Sequence, residues 1–315
     1  EMMNFYIRKI FSLLTTILLV SLITFLVFQI LPGDPVTIIL GPDADPLQAQ
    51  AMRESLGLDA PLFVRYIDWI KNAIRGDLGL SIRYNQPVSQ LILSRIPVTT
   101  SLAFMSILLT LAIGLPLGTY IARKNDSLAG KVVSICSQLG LAIPSFWTGI
   151  LLILLFSVTL GLLPSGDYIP MSESFIGWLS RIILPSISIA IGTSAVLIRY
   201  LRTAMLDEST KLYVQTARSK GLSENAVYTK HIFKNALIPT ITILGLLVID
   251  ILGGSIITEN VFNIPGLGNL IVSSINSRDL PLTQGLVLYL ATIVVTFNFL
   301  VDILYSIVDP RIRIS

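Results

Sequence analysis

Two uncharged runs decide what this chain can fold into. Residues 10–31 and 132–163 give 22 and 32 consecutive positions without Asp, Glu, Lys or Arg. About 20 helical residues, at roughly 1.5 Å each, cross a hydrocarbon layer of about 30 Å. Within lipid the backbone N–H and C=O groups find no water, so a spanning segment must satisfy them internally, as a helix does. The expected fold is therefore all-α and polytopic. Composition agrees, with 53% hydrophobic and only 13% charged residues, where soluble domains carry about a quarter charged.

In chain order, 1–9 is a short N-terminal segment and 10–31 the first span. No small-residue cleavage site precedes Pro32-Gly33-Asp34-Pro35, so this span is expected to remain in the membrane rather than leave as a signal peptide. Residues 32–96 return to soluble character, with interleaved acids and bases, helices expected at 45–56 and 61–75, and a turn at Gly76-Asp77-Leu78-Gly79. This segment reads as a cap on the bundle or as a docking surface. The second span, 97–122, carries Gly114 and Gly118 four residues apart on either side of Pro116, which lets another helix approach closely. Residues 132–163 are too long for one straight crossing, and Pro144 is expected to divide or kink them. Spans at 182–198, 236–258 and 282–308 bring the count to six, with 97–308 forming the transmembrane domain.

Six crossings put both termini on one side. With that side cytoplasmic, 14 of the 22 Lys and Arg residues fall in the shorter inner segments, as the positive-inside bias requires. The polar stretch 213–239 within the 199–235 loop and its exit then lies inside the cell. It reads as a short helix from Tyr213 to Lys220, ended by Gly221 in a left-handed conformation and restarted by Ser223 as an N-cap.

Several chemistries are excluded. The single Gly-Lys pair, Gly130-Lys131, lacks the earlier glycine and the following hydroxyl of a phosphate-binding loop, so the chain is not expected to hydrolyse ATP or to be an enzyme. One histidine, His231, and one cysteine, Cys136, provide no metal cluster or disulfide; Cys136 is expected in a core and His231 to pack within its loop. The basic residues form short separate clusters, which speaks against nucleic acid. Asp250 and Asp302 lie inside expected spans, and an intramembrane acid is a functional candidate unless a neighbour satisfies it. Asp302 is expected near Arg311 or Arg313. An ion-coupled carrier working through Asp250, or a membrane scaffold without solute flux, are the competing readings.

The loop resembles the signature of permease subunits of ATP-binding-cassette (ABC) importers: Gln215-Thr216-Ala217, then Gly221, then Pro239 opening the next span. The wider pattern is similar to the dipeptide, oligopeptide and nickel permease family, over Tyr213 to Leu222, His231 to Ala236 and Pro239. Family-like motifs recur at Pro32-Gly33-Asp34-Pro35, Gly76-Asp77-Leu78-Gly79, Pro265-Gly266-Leu267-Gly268, Arg278-Asp279-Leu280-Pro281 and Asp309-Pro310-Arg311, and the similarity spans nearly the whole chain. It departs at Gln215, where the family often carries a charged residue.

The resemblance implies the fold of a type I importer permease with a helical extracytoplasmic segment between spans 1 and 2. It also implies a bacterial cytoplasmic-membrane location and import of peptides, or alternatively of nickel or a metal chelate. The implied partners are a second homologous permease, two ATPase subunits and an extracytoplasmic solute-binding protein. No cofactor is expected on this chain; ATP and magnesium belong to the ATPases. Tyr213, Gln215, Thr216, Ala217, Arg218, Lys220, Gly221, Leu222, Ser223 and Glu224 are the implied ATPase-docking residues. Asn235 and Pro239 are the joint to the fifth span, and Asp250 is a candidate for the pathway wall.

Overall fold

The computed structural model describes residues 2–30, 35–41, 44–55, 57–125 and 127–308. The motifs at 32–34 and 309–311, together with Asp34, Asp43, Leu56, Arg311 and Arg313, lie outside the described residues. The helices are α1 (Met2–Ile30), α2 (Pro35–Leu40), α3 (Pro46–Ser55), α4 (Leu62–Ile74), α5 (Val88–Arg123), α6 (Leu128–Ala142), α7 (Ser145–Leu152), α8 (Phe175–Ser209), α9 (Leu212–Ser219), α10 (Glu224–Ala226), α11 (Phe233–Val261), α12 (Leu267–Asn276) and α13 (Leu280–Val308). Two π-helical stretches extend this pattern, Ile153–Thr159 after α7 and Val227–Ile232 between α10 and α11. No strand occurs among the described residues, where Leu80 and Pro87 make an isolated antiparallel bridge.

By length and composition α1, α5, α8, the run Glu224–Val261 and α13 are crossings, and α6 with the helix after it is a sixth when the bent pair counts as one. That pair is bent by 101°. Pro144 stands at the break, and Ile143 before it takes an extended conformation with ψ 121°. The steric conflict between a proline ring and the preceding residue disfavours the helical conformation there. Elsewhere the helices outrun the expected spans: α8 begins seven residues before 182 and ends eleven after 198. Charge marks where a helix leaves lipid, not where its backbone hydrogen bonds stop.

The chain divides into two compact units. In the larger, residues 97–269 and 297–315, α8 is the central element and packs against α6, α7 and α11. An added Cβ at Gly114 would meet Leu197 Cδ2 at 2.6 Å, and one at Gly118 would meet Leu201 Cδ2 at 3.0 Å. These glycines thus let α5 close on α8. A hydrogen bond of 2.6 Å between the Thr110 and Thr193 hydroxyls joins the same two helices. Cys136 is exposed on α6, not in the core expected for it.

The smaller unit holds residues 1–96 and 270–296. There α4 rests on α1 through Phe25, Tyr66 and Trp69. The fully buried Asp279 gathers the 81–84 loop onto the start of α13. It accepts from the Ser81 hydroxyl, the Arg83 N–H at 3.1 Å and the Leu282 N–H at 3.2 Å, the last as a helix N-cap.

Candidate functional site

The 199–235 loop is built from the end of α8 outward. Within α9, Val214 and Ala217 are three residues apart and share the helix face that is buried. They join Val227, Ile232 and Ala236 in one apolar cluster with Ala122 of α5 and Leu201 and Met205 of α8. Burying each larger side chain contributes about 1.5–3 kcal/mol, so the underside of α9 is fixed to the ends of three long helices. The other side of α9 is bare. Leu212, Gln215, Thr216, Arg218 and Ser219 are exposed, as are Lys220, Leu222, Ser223 and Glu224 beyond it. Leu212 shows 79% of its surface.

Gly221 ends the helix with φ +79°. Its N–H bonds to the Arg218 carbonyl at 2.9 Å, while the Leu222 N–H reaches the Ala217 carbonyl at 3.4 Å. This pair of bonds is the Schellman closure, which needs a left-handed residue at the glycine position. The Ser223 hydroxyl then accepts from the Ala226 N–H. Arg218 meets Glu224 across the turn, Nε to Oε1 at 2.8 Å. The pair is exposed, and such pairs contribute at most about 1 kcal/mol; its use is to fix the direction of the turn.

Tyr213 carries the longest reach. Its hydroxyl donates to Glu208 Oε2 at 2.6 Å near the end of α8 and accepts from Asn235 Nδ2 at 3.1 Å near the start of α11. Lys211 pairs with the same Glu208 carboxylate. Burial and then the bond to Glu208 raise the Tyr213 phenol above its ordinary value, so it stays protonated and able to donate at neutral pH. The Arg123 guanidinium lies 5.4 Å from the Tyr228 ring centre, a further brace from the end of α5. Tyr213→Phe removes both hydroxyl bonds without disturbing Val214. We expect it to leave the amount of membrane-embedded chain unchanged and to lower transport several-fold; equal uptake rates in an initial-rate assay refute the bracing role.

The predicted residues fall into three groups. Gln215, Thr216, Arg218, Lys220, Gly221, Leu222, Ser223 and Glu224 form the exposed outer side, whereas Ala217 is buried beneath it and Tyr213 braces it to Asn235. Pro239 is exposed inside α11, which continues unbroken through it, while the wide turn of the joint is the π-helical stretch 227–232. Asp250 lies apart, exposed on α11, and no hydrogen bond or ion pair to it occurs among the described residues. Asp302 does have an interaction, though its expected partners Arg311 and Arg313 lie outside the described residues.

Glu259, one residue past the expected fifth span, is a fully buried acid that the sequence analysis passed over. It accepts from the Thr99 hydroxyl at 2.7 Å and from the Gly268 and Asn269 N–H groups at 2.7 and 3.2 Å. A Cβ at Gly266 would strike its carboxyl group, and one at Gly268 would strike the Ile256 backbone. The nearest sequence signal is the glycine pair of Pro265-Gly266-Leu267-Gly268, whose lack of a Cβ permits a close approach without naming its partner.

The family described as binding-protein-dependent transport system inner membrane component matches residues 114–314, and its N-terminal companion matches 2–103. The chain belongs to this family. The permease is 38% identical to the oligopeptide transport system permease protein AppB of Bacillus subtilis (strain 168), over 99% of this chain and 100% of that one. It is 37% identical to the glutathione transport system permease protein GsiC of Escherichia coli (strain K12), over 99% of both. A Brucella abortus (strain 2308) protein, provisionally named a peptide transport system permease, is 42% identical over 98% of both chains.

In fold the permease is similar to a chain of the inward-facing MetNI methionine ABC transporter, with TM-score 0.58 at 17% identity over 70% of this chain and 97% of that one. A chain of an amino acid ABC transporter aligns with TM-score 0.51 at 19% identity, over 69% and 94%. The type I importer permease fold is thus the fold of this chain. The permease is a multi-pass inner-membrane component of an ABC importer, a transport subunit and not an enzyme, which works with ATPase subunits and a binding protein. The ion-coupled carrier gains no support from these matches.

Proposed function

We propose that this chain forms one half of the translocation path of an ATP-driven importer of di- and oligopeptides. A second homologous permease supplies the other half, one of two ATPases, carrying ATP and magnesium, binds the 213–224 surface from the cytoplasm, and a solute-binding protein delivers peptide from outside. Both termini are cytoplasmic in this reading. One observation carries it: α9 offers a bare polar face with an exposed Leu212, while its underside is anchored to the ends of α5, α8 and α11. A helix so placed transmits displacement, because close-packed interiors pass strain on and do not absorb it. Peptide is favoured over nickel by the oligopeptide and glutathione names of relatives that align over 99% of the chain.

Asp250 belongs to the pathway wall in this proposal. It is exposed midway along α11, and a charge there is costly in lipid, so it is better placed toward water and solute than toward acyl chains. Gly253 and Gly254, the next turn, have no atom within 4 Å of an added Cβ and leave open space beside it.

The test uses Thr216→Cys in a Cys136→Ser background, with the assembled transporter in membranes. A short bifunctional thiol reagent is expected to join position 216 to an ATPase subunit carrying a groove cysteine, and the yield should change with ATP. Labelling of position 216 by an impermeant thiol reagent from outside the cell, with no ATPase adduct, overturns both the docking and the orientation.

A further inference from the structure

The buried positions between α10 and α11 have a spacing that an α-helix does not produce. Val227, Ile232 and Ala236 are all fully buried and belong to one apolar cluster with Val214 and Ala217 of α9. The steps are five residues and then four. At about 100° per residue, five α-helical residues turn about 500°, which would leave Val227 and Ile232 about 140° apart around the axis. The wider turn of the π-helical stretch brings them onto one face, and the Phe233 N–H accordingly bonds to the Tyr228 carbonyl, five residues back. The stretch thus holds one residue more than an α-helix needs to join the same two buried positions.

Rebuilt as an α-helix from Ile232 backward, the chain would place Tyr228, four residues earlier, where Val227 now sits. Tyr228 is already at hand: it is half-buried, packs against the edge of the same cluster and carries the Arg123 guanidinium over its ring. Local side chains ease the backbone change. The Thr229 hydroxyl donates to the Asn225 carbonyl at 2.8 Å and the Asn235 amide to the His231 carbonyl at 2.9 Å, so these two carbonyls have partners that do not depend on the N–H pattern.

We propose that 227–232 is a two-position joint, in which Tyr228 replaces Val227 in the cluster when α9 is displaced. The proposal deepens the docking reading and rests on it: an ATPase moves α9, and the joint gives that movement a second packed position. Close-packed interiors switch between discrete arrangements and do not deform continuously. In the second position α10 has turned relative to α11 by one residue step, about 100°, while Ile232 and Ala236 keep their places. Arg123 stacks on Tyr228 in the observed position and so favours it over the other.

Deletion of Lys230, an exposed residue of the stretch, tests the joint in the assembled transporter. It brings Val227 and Ile232 to the four-residue spacing of an α-helix, so the buried cluster is kept while the spare residue is gone. The ATPases are expected to copurify at the parental level, because the 213–224 surface is untouched, and uptake to fall several-fold. Lys230→Gln, which removes the same charge without shortening the stretch, should transport at the parental rate. Parental uptake by the deletion variant overturns the joint and leaves the docking reading standing, which the crosslink at position 216 tests separately. Spin labels at Asn225→Cys and Lys234→Cys, both exposed positions, in a Cys136→Ser background read the switch itself. Their separation is expected to change by several ångströms between nucleotide-free membranes and membranes trapped with ATP and vanadate. An unchanged separation in the undeleted chain overturns the proposal even where the deletion variant does not assemble.

Discussion

Glu259→Ala is expected to remove several kcal/mol from the stability of the larger unit, enough that most of the extracted chain aggregates instead of running as a single species. The carboxyl group is fully buried and receives three donors: the Thr99 hydroxyl and the Gly268 and Asn269 N–H groups. Truncation leaves these facing a void, and a buried donor without an acceptor costs about 1–3 kcal/mol. Thr99 also accepts from the Leu267 N–H at 2.9 Å, so the loss spreads to the start of α12. Glu259→Gln separates hydrogen bonding from charge. Its carbonyl oxygen can take both backbone N–H groups, and its amide can donate to the Thr99 oxygen once the hydroxyl rotates. The glutamine variant should therefore melt within a few degrees of the parent, whereas the alanine variant should lose protection from hydrogen exchange at 264–269. Equal melting of parent and alanine variant would show that these donors are satisfied by other means.

Glu259 and Asp279 explain two motifs by one principle. Each is a buried acid to which a loop brings backbone N–H groups, and each loop needs small or turning residues to come close. Gly266 and Gly268 clear the space before Glu259. At Asp279, Arg278 takes φ +54°, a left-handed conformation unusual for a side chain of that size, and hands the chain to the capped start of α13. Both acids are fully buried. They hold the connections between helices in fixed shape.

What the sequence disclosed divides along the same physical line. Uncharged length located the long helices, because the hydrocarbon layer imposes one number on all of them. Pro144 announced the 101° bend and Gly221 the left-handed turn, since each restricts the backbone locally. Gly114 and Gly118 announced a close helix approach but not that Leu197 and Leu201 of α8 would fill it, because a pairwise contact depends on both partners. Glu259 was missed for the converse reason. It stands one residue beyond a span boundary, where an acid is commonplace, and its meaning arises only when Thr99, 160 residues earlier, arrives beside it. Cys136 misled in the opposite sense: in a membrane chain an apolar run has a lipid-facing side, so an apolar position is not necessarily a buried one.

Substitution of Gly221 is expected to have the largest effect on the proposed docking. No atom lies within 4 Å of an added Cβ, so space is not the obstacle; φ +79° is. An L side chain in the left-handed region costs roughly 1–2 kcal/mol, with Asn and Asp the most tolerant because their short polar groups bond locally. If backbone conformation alone matters, Gly221→Asn should retain most of the uptake and Gly221→Val, β-branched and least tolerant, should lose it. Gly221→Asp adds a negative charge beside Glu224 on the exposed face, so it should fall well below the asparagine variant, losing ATPase copurification and about tenfold or more of transport while remaining in the membrane at parental level. A tenfold loss corresponds to about 1.4 kcal/mol, within reach of one turn that no longer closes on Ala217 and Arg218. The decisive comparison is Asp against Asn. If both copurify with the ATPases and transport at the parental rate, the ATPases bind elsewhere, and the bare face of α9 must be assigned to something other than the motor.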